Sequence, residues 1–267
     1  MKNTRYKVSE LHTYPIKSMA GIRSKEIALT PFGFAYDRYW MLVDESNTAI
    51  TQRQIPQLAL FKVGLLDNGV MVHYDGDSIH IPYQTHDGQA TILTSLFDNT
   101  IESFVVNNKI NQWFSHHLKQ EVRLVQQMLN NPRTVKNHPD TTLHYADGGQ
   151  FLILGKPAFN HLNDKLATSL PINRFRPNIV FEGGQPHDED QWQRINIGNI
   201  PFEITKSCGR CQITTVNQEN GEQGKEPLVT LSKYRLRDRQ IYFGRYLKLL
   251  NSFSGKLVVG DEITVLR

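Results

Sequence analysis

Apolar residues along this chain fall in short runs separated by turn residues, a pattern that predicts strands more often than helices. Tyr6, Val8 and the run 11–16 predict an opening strand, closed by Pro15. Residues 38–43 combine aromatic and branched side chains and predict a second strand. The turn Asp44-Glu45-Ser46-Asn47 then leads back into Ala49-Ile50-Thr51 as a hairpin. The runs 60–66, 70–74 and 78–81 are separated by Asn68-Gly69 and Asp75-Gly76, pairs that take the positive φ of tight hairpin turns, so a meander is expected. Nothing here alternates strand, helix and strand, which argues against a doubly wound parallel sheet.

A helix is predicted next, capped by Asn107 or Asn108, with Ile110, Trp113, Phe114, His117 and Leu118 on one face. A short strand follows at 122–125, and the polar segment 126–142, with Asn130-Asn131-Pro132 and His138-Pro139-Asp140, reads as a long surface loop. Beyond it, 151–154 predicts a buried strand. A helix with Pro157 in its first turn and Phe159, Leu162 and Leu166 as its apolar stripe comes after. Further strands are expected at 178–181, 195–197, 202–205, 211–216, 245–250 and 263–266, with a short helix at 228–234 and a Gly260-Asp261 turn. Many short strands with few helices make the expected class mainly β with a few helices (α+β), arranged as a barrel or closed sheet.

Composition narrows the partners more than the fold. At 267 residues, 39% hydrophobic and 21% charged, the chain has the make-up of a soluble globular protein of one large or two ordinary domains. A net charge of +4 without a local basic stripe is too weak to point to nucleic acid as a polymer, yet suits a small anionic ligand. Met1-Lys2-Asn3-Thr4-Arg5-Tyr6-Lys7 has no apolar run behind it, unlike a signal peptide, and no stretch reaches the ~20 apolar residues of a membrane span. Only two cysteines, close together, fit a reducing, cytoplasmic setting with no membrane.

Those two cysteines carry the most specific candidate chemistry. Cys208 and Cys211 form a C-x-x-C pair flanked by Lys206 and Arg210, cations that favour a thiolate. They could equally be small buried residues in a turn. Zinc would need further ligands at a spacing the histidines do not offer. A thioredoxin-type pair should open a helix, whereas Gln212-Ile213-Thr214-Thr215-Val216 is rich in β-branched residues and predicts a strand with Cys211 at its entrance. A third option is a soft transition metal held by one thiolate, with an organic cofactor supplying the other ligands. Such a cofactor would need cationic anchors, for which Lys17-Ser18, Arg38, Arg53 and Arg174-Phe175-Arg176 are candidates if they converge; singly, each reads as a surface cation.

Six motifs in order resemble the MOSC-domain family, named from the C-terminal domain of molybdenum cofactor sulfurase. They are Tyr14-Pro15-Ile16-Lys17-Ser18, Asp37-Arg38-Tyr39-Trp40, Thr51-Gln52-Arg53-Gln54, Ala146-Asp147-Gly148, Arg174-Phe175-Arg176-Pro177-Asn178, and Cys208-Gly209-Arg210-Cys211 with the Gln212 to Val216 stretch after it. The resemblance is nearest to the YcbX-type proteins and the mitochondrial amidoxime-reducing component. It implies a β-rich N-terminal domain at 1–118 and a MOSC β-barrel at 119–267, with a molybdenum–molybdopterin cofactor between them. It implies Cys211 as the metal ligand and, with Asp147, as a catalytic residue. Cys208 then shapes the loop. Lys17, Ser18, Arg38, Arg176, Asn178, Gly209 and Arg210 are implied to hold the cofactor, and pyridoxal phosphate is not expected.

The implied activity is an oxidoreductase reducing a small N-hydroxylated substrate, the alternative being a cofactor carrier or sulfur-transfer protein without turnover. Two departures from the family stand out. YcbX-type proteins add a domain with a [2Fe–2S] cluster, for which this chain has no cysteines left, so no Fe–S cluster is expected in it and electrons would come from an external flavoprotein reductase or ferredoxin-like donor. After Ala146-Asp147-Gly148 the chain reads Gly149-Gln150, where relatives often carry a more apolar or proline-containing turn.

Overall fold

A computed structural model describes residues 5–84, 90–130, 132–135, 138–250 and 255–266. The leading residues Met1 to Thr4, and Asn131 within the predicted loop, lie outside the described residues. Seven strands close into a barrel: β1 (Tyr6–Thr13), β2 (Phe151–Gly155), β3 (Ile179–Glu182), β4 (Arg194–Ile197), β5 (Ile200–Gly209), β6 (Gln240–Leu249) and β7 (Glu262–Leu266). The ring runs β2-β3-β1-β7-β4-β5-β6 and returns to β2 through an antiparallel β6–β2 pairing. Closure removes the open edges that an isolated sheet of this size would expose. Alternate residues point inward, so Val8, Leu11, Phe151, Ile153, Ile195, Phe202 and Leu247 form one buried core. The first strand therefore hydrogen-bonds into the barrel that the second half of the chain builds.

Much of the rest of the first half packs around a second core of Trp40, Leu42, Phe61, Val70, Ile110 and Phe114, while Ile27, Leu29 and Phe34 join the barrel core. Trp40–Val43, Arg123–Gln127, Asn99–Val105 and Thr91–Leu96 form a four-stranded sheet in that order. Lys62–Leu66, Gly69–Tyr74 and Asp77–Pro82 form the predicted meander. Helix α1 (Asn108–Leu118) is capped by Asn107, whose side chain accepts from Ile110 N at 3.1 Å. Helices α2 (Lys156–Asn163) and α3 (Leu228–Arg235) cover a third apolar cluster beside the barrel. Among the described residues no helix is long and apolar enough to cross a membrane.

Two expectations fail locally, for identifiable reasons. Among the described residues of 126–142, Arg133–Val135 and His138–Leu143 pair as antiparallel strands and not as a loop, held to the body where Lys248 Nζ donates to Asp140 at 2.9 Å. The polar side chains of this stretch are partly outward-facing, as at Thr134 and Asp140, and partly buried, as at Gln126, Gln127 and Thr141, so polarity there does not mean a lack of structure. The residues after Cys211 are not a strand either, but a 3₁₀ turn, Gln212–Thr215. Thr214 Oγ1 donates to Cys211 O at 3.0 Å and Thr215 Oγ1 to Gln212 O at 2.7 Å, so the threonine hydroxyls staple a tight turn against their own β preference.

Candidate active site

Backbone hydrogen bonds draw the scattered motifs together before any side chain acts. Arg38 N donates to Tyr14 O (2.7 Å), Trp40 N to Pro15 O (3.1 Å) and Lys17 N to Trp40 O (2.8 Å), zipping the Lys17 loop onto the Arg38 loop. Tyr145 N donates to Arg38 O (2.9 Å), bringing in Asp147; Asn178 N donates to Leu152 O (2.8 Å), and Arg210 N to Ile241 O (2.7 Å). Along β5 and β6 the register shifts twice, between Ile204 and Lys206 and again between Ser207 and Gly209. Such bulges bend a strand pair and re-aim its side chains. Gly244, at φ 82, supplies the second: a Cβ there would lie 2.8 Å from Ile153 O. Cys208 and Gly209 end β5 at this bulge, and Cys211 follows at the head of the next turn.

The result is one cavity of about 220 Å³. Lys17, Ser18, Arg38, Asp147, Arg176, Asn178, Gly209, Arg210 and Cys211 all line it, as do Arg53 and Arg174. Ser18, Arg38 and Arg176 hold left-handed backbones (φ 69, 49 and 52), a conformation costly for non-glycine residues and concentrated at functional sites. The two cysteines are unequal. Cys208 is buried, and burial pushes its thiol above the ordinary value, whereas Cys211 is exposed at the head of the 3₁₀ turn. Cys208 lies within β5, so the pair does not share the helix start of a thioredoxin motif. Among the described residues no three His, Cys, Asp or Glu side chains cluster as a metal site.

Charge in the cavity is divided. Lys17 Nζ donates to Tyr145 O at 2.9 Å and pairs with Asp147. Burial opposes ionisation of Asp147, but Lys17, Arg38 and Arg133 outweigh it and hold the carboxyl at about 2. Burial likewise lowers Lys17, with Asp147 opposing. Arg38 donates to Asp37 at 2.6 Å and to Asn178 Oδ1 at 3.1 Å. The Tyr14 ring lies 4.2 Å from the Arg38 guanidinium and 4.3 Å from that of Arg176.

Three arginines have only carbonyl partners: Arg174 donates to Thr215 O, Arg176 to Met19 O, and Arg210 to Phe243 O and Phe175 O. Arg174 Nε, Arg176 Nη2 and Arg210 Nη2 are buried donors without a partner. Burial, then the neighbouring Arg38, lowers Arg176 to about 10. Uncompensated guanidinium donors around a concave space suit a phosphate-bearing anion.

Sequence reasoning missed Thr51, Phe97 and Tyr246 as wall residues. Aromatic side chains also fill the core, and only the fold separates the two uses. Gly148 and Gly149 now have a physical reason: a Cβ would fall 2.8 Å from the Tyr246 ring at Gly148 and 3.0 Å from it at Gly149. Gln150 is buried and pins the next turn, donating to Pro31 O at 2.6 Å and accepting from Leu249 N at 2.9 Å. Gln52 is buried as well, donating to Ser18 O at 2.6 Å and exchanging hydrogen bonds with Gln218 (3.1 and 2.9 Å), which fixes the Lys17-Ser18 loop from behind.

Residues 5–121 match the family model of the MOSC N-terminal beta barrel domain, and residues 140–264 that of the MOSC domain. Mitochondrial amidoxime reducing component 2 of Bos taurus is 32% identical, across 96% of this chain and 82% of that protein. Mitochondrial amidoxime-reducing component 1 of Mus musculus is 31% identical, across 97% and 82%. A molybdenum cofactor sulfurase of Drosophila grimshawi is 27% identical, across 98% of this chain and 35% of that protein. The chain thus spans about a third of the length of the sulfurases it matches.

Proposed function

The chain belongs to the MOSC-domain family, and from that premise we propose that it is a molybdenum-cofactor-dependent oxidoreductase that reduces N-hydroxylated compounds with electrons from a separate redox protein. One observation carries the reading: an exposed Cys211 lines a cavity together with three arginines that have buried, unpartnered donors. A soft metal requires the thiolate, and a phosphate-bearing organic ligand requires the guanidinium donors. The residues present therefore fit the cofactor.

Cys211 is the metal ligand in this reading. Arg176 and Arg210, with Lys17, Ser18, Arg38, Asn178 and Gly209, hold the pterin and its phosphate. The bound cofactor supplies a metal centre that changes oxidation state. Reduction of an N–OH group takes up two electrons and two protons and releases water. Asp147, held ionised at neutral pH, cannot donate those protons. Its carboxylate accepts hydrogen bonds instead and orients the N–H or O–H of a substrate. Cys208, buried behind Cys211, shapes the loop.

Molybdenum and pterin analysis of protein from a host that makes the cofactor tests the assignment. Near-stoichiometric molybdenum is expected in the wild type, near-complete loss in Cys211→Ala, and substantial retention in Cys208→Ala. Full molybdenum in Cys211→Ala would reject the ligand. The match to a third of the cofactor sulfurases favours a second reading, a cofactor carrier or sulfur-transfer module. Turnover of an amidoxime with a flavoprotein or ferredoxin-like donor supports the reductase; a loaded protein inert with every donor supports the carrier.

A further inference from the structure

Outside the arginine-lined cavity lies a second, more open one of about 660 Å³. The two share Phe97, Asp147, Gly209 and Tyr246, which therefore form the neck between them. Phe97 sits at the tip of the hairpin joining Thr91–Leu96 to Asn99–Val105, at φ 54. A two-residue turn normally gives a positive φ to Gly, Asn or Asp, and a bulky aromatic there is strained. Packing compensates only in part, since Phe97 is 48% exposed. Its ring instead leans over the site, with Lys17 Nζ at 5.4 Å and the Arg53 guanidinium carbon at 5.5 Å from its centroid. Tyr246, by comparison, lies close against Gly148 and Gly149, leaving no room for a Cβ at either. Strain held at a site entrance, in a ring left half exposed, points to a ligand that covers its remaining surface.

We propose that the neck is a slot for a flat conjugated group, with Phe97 the lip that stacks on it and Tyr246 the wall. The slot selects aromatic N-hydroxylated substrates, whose ring is conjugated to the reacting group, over saturated ones of the same size. The identity of the reacting group rests on the reductase reading; the stacking does not.

Benzamidoxime and cyclohexanecarboxamidoxime present the same N-hydroxyl group on a flat and a puckered ring. Calorimetric titration of oxidised holoprotein, at matched molybdenum content, reads the slot without turnover. Wild type binds the aromatic compound more tightly. Phe97→Ala weakens that compound about tenfold and the saturated one by no more than about twofold, the scale of one aromatic contact. Phe97→Trp restores the preference. Phe97→Gly loses it while raising the thermal midpoint, because glycine relieves the positive φ, an effect a merely structural phenylalanine would not give. In turnover, KM for the aromatic compound rises with kcat unchanged. Equal weakening of both compounds, an unchanged ratio, or no binding of either to wild type would overturn the slot. Binding that follows the predicted pattern without turnover by any donor would reject the reductase reading and leave the slot standing.

Discussion

Two sets of cations face the cavity, and they differ in what balances them. Lys17 and Arg38 are paired with Asp147 and Asp37. Arg174, Arg176 and Arg210 are held by carbonyl oxygens alone, and each keeps a buried donor without a partner. The paired set joins loops: Arg38 ties Asp37 to Asn178, and Lys17 ties the first half of the chain to the Asp147 turn. These contacts are complete within the fold. The unpaired set leaves positive charge buried and unanswered, a state that ordinarily costs several kcal/mol per ion until a counter-charge arrives. The paired set therefore also ties the cavity wall together, and the unpaired set is the part of the wall whose donors are left for a ligand.

Substitution should separate the two. Asp37→Asn keeps the shape and the acceptor for Tyr14 N (2.9 Å) but leaves Arg38 without its carboxylate. Breaking a buried pair in this way should destabilise the protein by ~3 kcal/mol, read as a lower urea midpoint at unchanged m-value. Arg176→Met should do the opposite to the cofactor-free protein, leaving it within about 1 kcal/mol of wild type or more stable, because it removes a charge that Arg38 repels. The same variant should retain cofactor at least ~10-fold more weakly, read as pterin lost on gel filtration. If Arg176→Met destabilised the protein as much as Asp37→Asn, the two sets would be one.

The division between these sets could not be read from the sequence, although most of their members could. Strand positions followed from alternation and turn pairs, as in the meander around Gly69 and Gly76, where local chemistry decides the outcome. The α1 cap at Asn107 was legible for the same reason. The 3₁₀ turn after Cys211 was not, because side-chain hydroxyls there override residue preference. Motif resemblance assembled Lys17, Arg38, Arg176 and Cys211 into one site, yet which arginine has a carboxylate partner depends on contacts made across the fold. Phe97 carried no sequence signal at all. Its meaning lies in a backbone angle and in the two cations near its ring.

Acid should expose the weaker of the two pairs. The folded Asp147 carboxyl sits at about 2, against an ordinary value of 3.8, so it is depressed. Its stabilisation is fully present above that ordinary value and is lost as pH falls through about 2. The stability gap between wild type and Asp147→Asn should therefore be constant near neutrality and close between pH ~4 and ~2. Solvent reaches this carboxylate, 52% exposed where Asp37 is 2%, so the gap should be smaller than for Asp37→Asn.

Arg53 sets the lower limit of the comparison. It lines the same cavity but is exposed, its guanidinium carbon 5.5 Å from the Phe97 centroid and its Nε 3.4 Å from Thr51 Oγ1. Arg53→Gln should change stability by no more than ~0.5 kcal/mol, and should leave cofactor retention nearly intact, because water already solvates the charge. A loss of cofactor comparable to that in Arg176→Met would mean that net charge alone attracts the anion. Retention would mean that the buried, unpartnered donors do so, and that desolvation is what distinguishes the arginines of the inner wall.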